Sequence, residues 1–457
     1  MSKVPANGGQ AAPDYLQDFI RHTPGSQRLH RQALRCTPGG ISHNHRFHAP
    51  YPLYAAKARG SHLWDVDGQE YIDLWMAHYD AILGHAPPEV LGPVQAALAD
   101  GLHVGTAMAH EVALAERVCR MVPCAEQVRF CTSGTEATMY AVRLARGFTG
   151  RNVILKMVGG WHGANTDLMV DVAAPEYIGP ECKGLLPGLE RWTRAVQFND
   201  IEDTARGIRE AGDDWAGIIL EPALGSGGFM TAEADYLNFL REETRRAGAV
   251  LIFDEVITGF RLAPGGAQEH FGVTPDLVTL GKVMGGGMAI GAVAGRAEIM
   301  SISAVDPRKS KRDKVVVGGG TYSCNHLSMV AGNATLEILQ RRAGEIYPAI
   351  AGGNQRFCAG LRNVFHDVGL PVHVNELGSL QEVHFLKEAG LTVRNMAEMM
   401  EHTYPEKRLE LAGRLRNHGV FLYHGGAISL AHSPGDIDAL LAAYRACAEE
   451  MADGRPA

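Results

Sequence analysis

A mainly parallel α/β sheet flanked by helices in a large domain, joined to a small α+β domain, is the fold class the sequence predicts. Three observations predict it. Six short runs, "VRFCTS", "NVILKM", "AGIILEP", "GAVLIFDEV", "DLVTLGK" and "AIGAVAG", are apolar at nearly every position, as strands buried on both faces are. Helical stretches alternate with them, the rhythm of βα units packed on a parallel sheet. At 457 residues the chain exceeds what one core serves, since single cores stop growing at about 250 to 300 residues.

Taken in order, "YLQDFIRHTPGSQRLHRQALRC" has helical apolar spacing. "PLYAAKARGSHLWDVDGQEYIDL" reads as short antiparallel strands broken at Gly60 and at the Asp67-Gly68 turn signal. These assign residues 1–75 to the small domain. The apolar runs and their helices assign 76–335 to the large domain. There "AEADYLNFLREETRRAG" ends at Gly248, and "NHLSMVAGNATLEILQRR" opens with Asn325 as its N-cap. Past about Gln340 the order is helix, strands ("VHVNE", "LQEVHFL"), helix, strand ("GVFLYH") and a last helix ("DIDALLAAYRACAEEMA"). Residues 336–457 thus complete the small domain beside the N-terminal part.

The bulk chemistry narrows the function. A net charge of −8 gives no basic footprint for nucleic acid or an anionic membrane, and the one basic run, "PRKSKRDK" at Pro307 to Lys314, reads as a solvated loop. No run of ~18 uncharged apolar residues occurs, and "MSKVPANGGQAAPD" lacks the apolar stretch of a signal peptide, so a cytoplasmic protein is expected. Eight dispersed cysteines without C-x-x-C spacing read as reduced thiols. The histidine-rich "HNHRFH" lacks further ligands at recognisable spacing, so no metal is expected.

In a doubly wound sheet, ligands collect at the carboxyl ends of the strands. "VRFCTSGTEATM" runs from a strand through Ser133, Gly134 and Thr135 into a helix, offering free N–H groups and a positive dipole to an anion, though such a turn also serves as a plain cap. "LIFDEVITGFR" ends a buried strand in Asp254, which needs a partner: a ligand cation, a cap, or Arg261. "VTLGKVMGGG" places Lys282 at another strand end, where a low dielectric favours the neutral, nucleophilic amine over an exposed loop lysine. Phosphate cup, deep carboxylate and strand-end amine together meet the demands of pyridoxal 5′-phosphate: anchor the phosphate, protonate the ring nitrogen, hold the aldehyde as a Schiff base. Trp161 in "GGWHGAN" could lay its ring over the pyridine, or serve as a core tryptophan.

From about Gly39 to about Ile437 the chain resembles the class III, or ω-type, aminotransferase family, in the branch of glutamate-1-semialdehyde aminomutase and of D-phenylglycine and β-phenylalanine aminotransferases. "LWDVDGQEYIDL", "ILGHAPPEV", "VRFCTSGTEATM", "GWHG", "IILEPALG", "LIFDEVITGFR", "PDLVTLGKVMGGGM" and "GGGTYSCNHLSM" carry the resemblance, in the family's order. It implies the type I fold of pyridoxal phosphate enzymes, with Lys282 as the Schiff-base lysine, Asp254 at the pyridine nitrogen and Ser133, Gly134 and Thr135 around the phosphate. It further implies Trp161, His162 and Glu221 along the cofactor. The resemblance also implies that Thr321 reaches the phosphate from a neighbouring subunit, and hence a homodimer. Arg46 matches a substrate-carboxylate arginine.

Two departures bear on the reaction. "MAHYD", Met76 to Asp80, stands where the aminomutase has "GSWGP", so His78 or Tyr79 replaces a pocket tryptophan at the substrate. "GVFLYHGGAISLAH" lacks several residues of a C-terminal loop with a gating glutamate. A mutase must retain its diamino intermediate, so the missing lid element favours simple transfer between an amino donor and an oxo acid. Transfer is therefore the expected reaction, with an aminomutase or epimerase as the alternative.

Overall fold

The computed structural model describes residues 13–172 and 181–453. Two helices open it, Asp14–His22 and Pro24–Ala33, separated where Thr23 turns its hydroxyl back to the Phe19 carbonyl (2.6 Å) and Pro24 starts the next helix. Strands β1 (Ala55–Arg59), β2 (His62–Asp65) and β3 (Glu70–Asp73) follow as an antiparallel meander.

The large sheet comprises β4 (Gln127–Cys131), β5 (Val153–Met157), β6 (Thr193–Val196), β7 (Trp215–Leu220), then, past a ribbon of β8 (Ala223–Leu224) and β9 (Met230–Thr231), β10 (Val250–Asp254), β11 (Leu277–Gly281) and β12 (Gly291–Gly295). Their order is β4-β12-β11-β10-β7-β5-β6, parallel except for β12, which runs antiparallel to both neighbours. Six of the seven are the apolar runs; the edge strand β6, "TRAV", has no such run to announce it.

Helices cover both faces. The helix Gly134–Thr149 sets Ala137, Ala141, Leu144 and Ala145 against Ile252, Leu277 and Val293, while Tyr236, Leu237 and Leu240 of the helix Ala234–Ala247 pack with Leu251 and Phe253 on the other side. The C-terminal part pairs β13 (Val372–Leu377) with β14 (Leu380–Phe385) beneath the helices Ala343–Asp367 and Pro434–Ala452. Strand β15 (Val420–Phe421) lies parallel to β3, tying the two ends of the chain together, and β16 (Gly426–Ala427) joins β14. The mixed α/β architecture with a mainly parallel sheet is the one expected. No helix among the described residues is long and apolar enough to cross a membrane.

Because β4, β5, β7, β10 and β11 share one direction, the segments leaving them emerge at one edge. Asp254 ends β10 at that edge, and the segments leaving the other four strands carry Ser133, Trp161, Glu221 and Lys282. The opposite edge of β10 and β11 is fixed by Asp276, whose carboxylate accepts from Arg241 Nη2 (2.8 Å), Arg296 Nη1 (2.9 Å) and the Leu251 N–H (2.9 Å). Asp276→Ala should destabilise the chain by about 3–5 kcal/mol in denaturant unfolding, because it strands the buried Arg241 guanidinium; a loss under ~1 kcal/mol, as for an exposed pair, would contradict this.

Candidate active site

Asp254 ends β10 with both carboxylate oxygens engaged. Oδ2 lies 2.7 Å from His162 Nδ1, and Oδ1 accepts from Thr279 Oγ1 (2.8 Å) and the Val256 N–H (3.2 Å). The partner is thus His162 rather than Arg261, one of the alternatives the sequence left open. Arg261 instead directs Nε (3.1 Å) and Nη2 to the Tyr79 carbonyl and Nη1 to Ser379 Oγ (3.0 Å). Burial lowers the His162 pKa and Asp254 only partly offsets this; its Nε2 is buried with no partner among the described residues. Thr279 was not anticipated. Its signal was a single hydroxyl in the apolar run "DLVTLG", facing the neighbouring strand's terminal carboxylate.

Lys282 follows β11 with φ of 41°, a left-handed conformation that costs a side-chain-bearing residue roughly 1–3 kcal/mol. Burial pulls its pKa down, opposed by Asp254, Glu221 and Asp80. Beside it runs a second left-handed stretch, Met76 to Tyr79, with φ of 43°, 54°, 62° and 68°. Asp73 supports that stretch: Oδ1 accepts the Trp75 (2.7 Å) and Met76 (3.0 Å) N–H groups, and Oδ2 meets His85 (2.7 Å). Asp80, which ends it, was also not anticipated. Burial pushes its carboxyl up to about 7, against the pull of Arg261 and Lys282.

The turn carrying Ser133, Gly134 and Thr135 opens a helix. Ser133 caps the helix Gly134–Thr149, accepting the Glu136 N–H (3.3 Å), and Thr135 Oγ1 accepts the Ala164 N–H (3.1 Å). Two glycines let backbone approach it: a Cβ at Gly163 would lie 2.3 Å from Thr135 Oγ1, and one at Gly291 would lie 2.2 Å from the Ser133 carbonyl oxygen. Glu221 accepts the Trp161 (2.9 Å) and Gly225 (3.2 Å) N–H groups. The Trp161 indole, 36% exposed, meets His45 edge-on (5.4 Å between ring centres).

Histidines line the mouth. His43 packs on His78 (4.9 Å), and His424 faces His45 (6.2 Å) and Trp75 (4.9 Å). Burial, then the charges of His43, Lys282 and Arg46, lower His78 to about 3, so this wall is neutral. His78 Nε2 is buried without a partner among the described residues. Arg46 is exposed at the mouth. Tyr79 is buried, its hydroxyl donating to the His424 carbonyl (2.6 Å) and its ring against Phe229 (5.0 Å). Thr321 lies on an exposed turn. No group of described residues could hold a metal ion, and all eight cysteines are free.

A family profile described as Aminotransferase class-III matches residues 44–434. The chain belongs to that family. It is 41% identical over 433 residues to a glutamate-1-semialdehyde 2,1-aminomutase of Methanothermobacter thermautotrophicus, covering 94% of this chain and 99% of that one. Among solved structures it resembles an omega-transaminase from Sphaerobacter thermophilus (TM-score 0.86, 33% identity, 95% and 100% covered) and a transaminase with PLP bound (0.85, 32%, 95% and 99%). The fold is therefore type I and the cofactor pyridoxal 5′-phosphate. The residues fit it: a capped helix N-terminus, a pinned carboxylate and a buried amine converge, and buried His162 and His78 nitrogens await partners.

Simple transfer, the reaction expected above, is corrected by these comparisons. Curated relatives 36–41% identical over most of the chain share the aminomutase name. The short C-terminal loop was a poor guide because the structure ties it down by other bonds, from Tyr79 to His424 and from Tyr423 to the Arg46 carbonyl.

Burial, with Asp254 nearby, pushes Glu221 from its ordinary 4.5 up to about 8. The folded chain thus keeps a proton that the unfolded chain has lost, and stability falls as pH rises between those values. In cofactor-free protein, Glu221→Gln should gain melting temperature relative to the parent as pH goes from about 5 to about 8. A difference that does not change with pH would refute the assignment.

Proposed function

We propose that this chain is an aminomutase of the glutamate-1-semialdehyde type, which exchanges an amino group and an oxo group between adjacent carbons of one substrate. The observation that carries it is the 41% identity, over nearly the full length of both chains, to an enzyme of that name. No external donor or acceptor is consumed: the carbon that gains nitrogen loses its oxygen, and its neighbour does the reverse.

Bound pyridoxal phosphate supplies an aldehyde that forms imines with amines and a cationic ring that draws electrons from carbon attached through that nitrogen. Ser133, Gly134 and Thr135 would hold its phosphate with backbone N–H groups at the helix N-terminus. Asp254 would hold the ring-nitrogen proton through Oδ2, which has a second lone pair beyond the bond to His162, whereas Oδ1 already accepts from Thr279 and Val256. Glu221, protonated near neutral pH, would donate toward the ring's polar edge, and Trp161 would flank the ring's face. Lys282 would hold the aldehyde form of the cofactor through its Nζ, and when free of it that Nζ would serve as the base at the nitrogen-bearing carbon, because burial lowers its affinity for the proton it must hand on.

Arg46 would bind the substrate carboxylate through its planar fork. Its guanidinium has no hydrogen-bond or ion-pair partner among the described residues. His78 would meet a substrate polar group with Nε2, while Tyr79 acts from behind by holding His424. Two copies would complete each site through Thr321. Near it the exposed Leu102, Val104 and Tyr322 form an apolar border suited to a homodimer contact.

Purified, cofactor-loaded enzyme given glutamate 1-semialdehyde and no oxo acid should form the 1-amino-2-oxo isomer over many turnovers. Product that appears only after an oxo acid acceptor is added would contradict the proposal.

A further inference from the structure

An amino group that moves between adjacent carbons through an external carrier passes through a species with nitrogen on both carbons. The carrier's amine first joins the oxo carbon with loss of water. The original amine is then taken back with uptake of water. Between the two steps the diamine must not leave. The short loop Leu422 to Gly425 between β15 and β16 must therefore be secured some other way.

The structure shows how. Arg261, on the segment that follows β10, holds the Tyr79 carbonyl; the Tyr79 hydroxyl holds the His424 carbonyl (2.6 Å); and the Tyr423 hydroxyl donates to the Arg46 carbonyl (2.8 Å). The chain of bonds runs from the large sheet, through the loop, to the short turn Asn44–Arg46 at the mouth. Tyr423 is wedged by Trp75 (5.1 Å), Phe421 (5.1 Å) and His48 (5.6 Å), so its ring has little freedom and its hydroxyl is aimed. Among the described residues the turn's own backbone bonds are local, Arg46 N–H to His43 O (2.9 Å) and Phe47 N–H to Asn44 O (3.0 Å). Neither ties it to the rest of the protein.

We propose that Tyr423 is a positioning residue whose hydroxyl fastens the Arg46 turn across the cleft mouth, keeping Arg46 on its substrate and the diamine inside between the two half-reactions. The role in retaining the diamine rests on the aminomutase reading; the fastening of the turn does not. Burial keeps the phenol protonated, its pKa pushed up to about 12, so the donor persists at working pH.

Tyr423→Phe removes the hydroxyl and leaves the packing. In cofactor-free protein, hydrogen exchange of a peptide spanning residues 43–47 should quicken roughly three- to tenfold, the range for one lost hydrogen bond, with the melting temperature unchanged. In loaded enzyme turning over the semialdehyde, free diamine per isomer formed, read by mass spectrometry, should rise by a similar factor. Equal exchange in parent and variant would overturn the fastening, and faster exchange with equal diamine release would overturn its role in retention. A parent that forms no isomer refutes the aminomutase reading, and the exchange comparison still decides the tether.

Discussion

Burying an amine next to carboxyl groups makes two opposing demands, and the cleft is built to satisfy both. Desolvation drives Lys282 toward the neutral form that can attack an aldehyde, while Asp254, Glu221 and Asp80 draw it back toward the cation. The balance depends on how much negative charge stands nearby. Glu221 holds its proton to about pH 8 and Asp80 to about 7, so burial weakens the very groups that would recharge the lysine. Asp254 is instead pinned by hydrogen bonds with His162, Thr279 and the Val256 amide.

The parallel sheet makes this convergence possible. Five strands of one direction deliver five chemically different residues to one edge, and the antiparallel β12 fits beside the Ser133 turn because Gly291 has no side chain. Local strain completes it. Left-handed residues at Lys282 and along Met76 to Tyr79 turn two segments toward each other, held by Asp73 below and Arg261 behind.

Much of this was legible in the sequence, for a physical reason. Doubly buried strands must be apolar throughout, so a polar residue at their ends stands out, and Ser133, Asp254 and Lys282 did. Features that arise only when distant segments meet did not. Thr279 reads as an ordinary strand residue until β10 is laid beside β11, and Asp80 as a turn residue until Lys282 is packed near it. The edge strand β6, half exposed, carries no apolar run. The reaction was misjudged where a shorter loop was read as a missing lid element. Leu422 to Gly425 is short, yet hydroxyls from two tyrosines link it to the elements on either side.

A fold of this kind supports both transfer and isomerisation, and the difference lies in how long the cleft retains what it has made. We propose that both depend on a covalent imine between the Lys282 amine and pyridoxal phosphate. Borohydride reduction of the loaded protein, followed by peptide mass mapping, tests that most directly. A single phosphopyridoxyl group on the peptide containing Lys282 is the predicted result. An unmodified Lys282 peptide from fully loaded, fully reduced protein would contradict it.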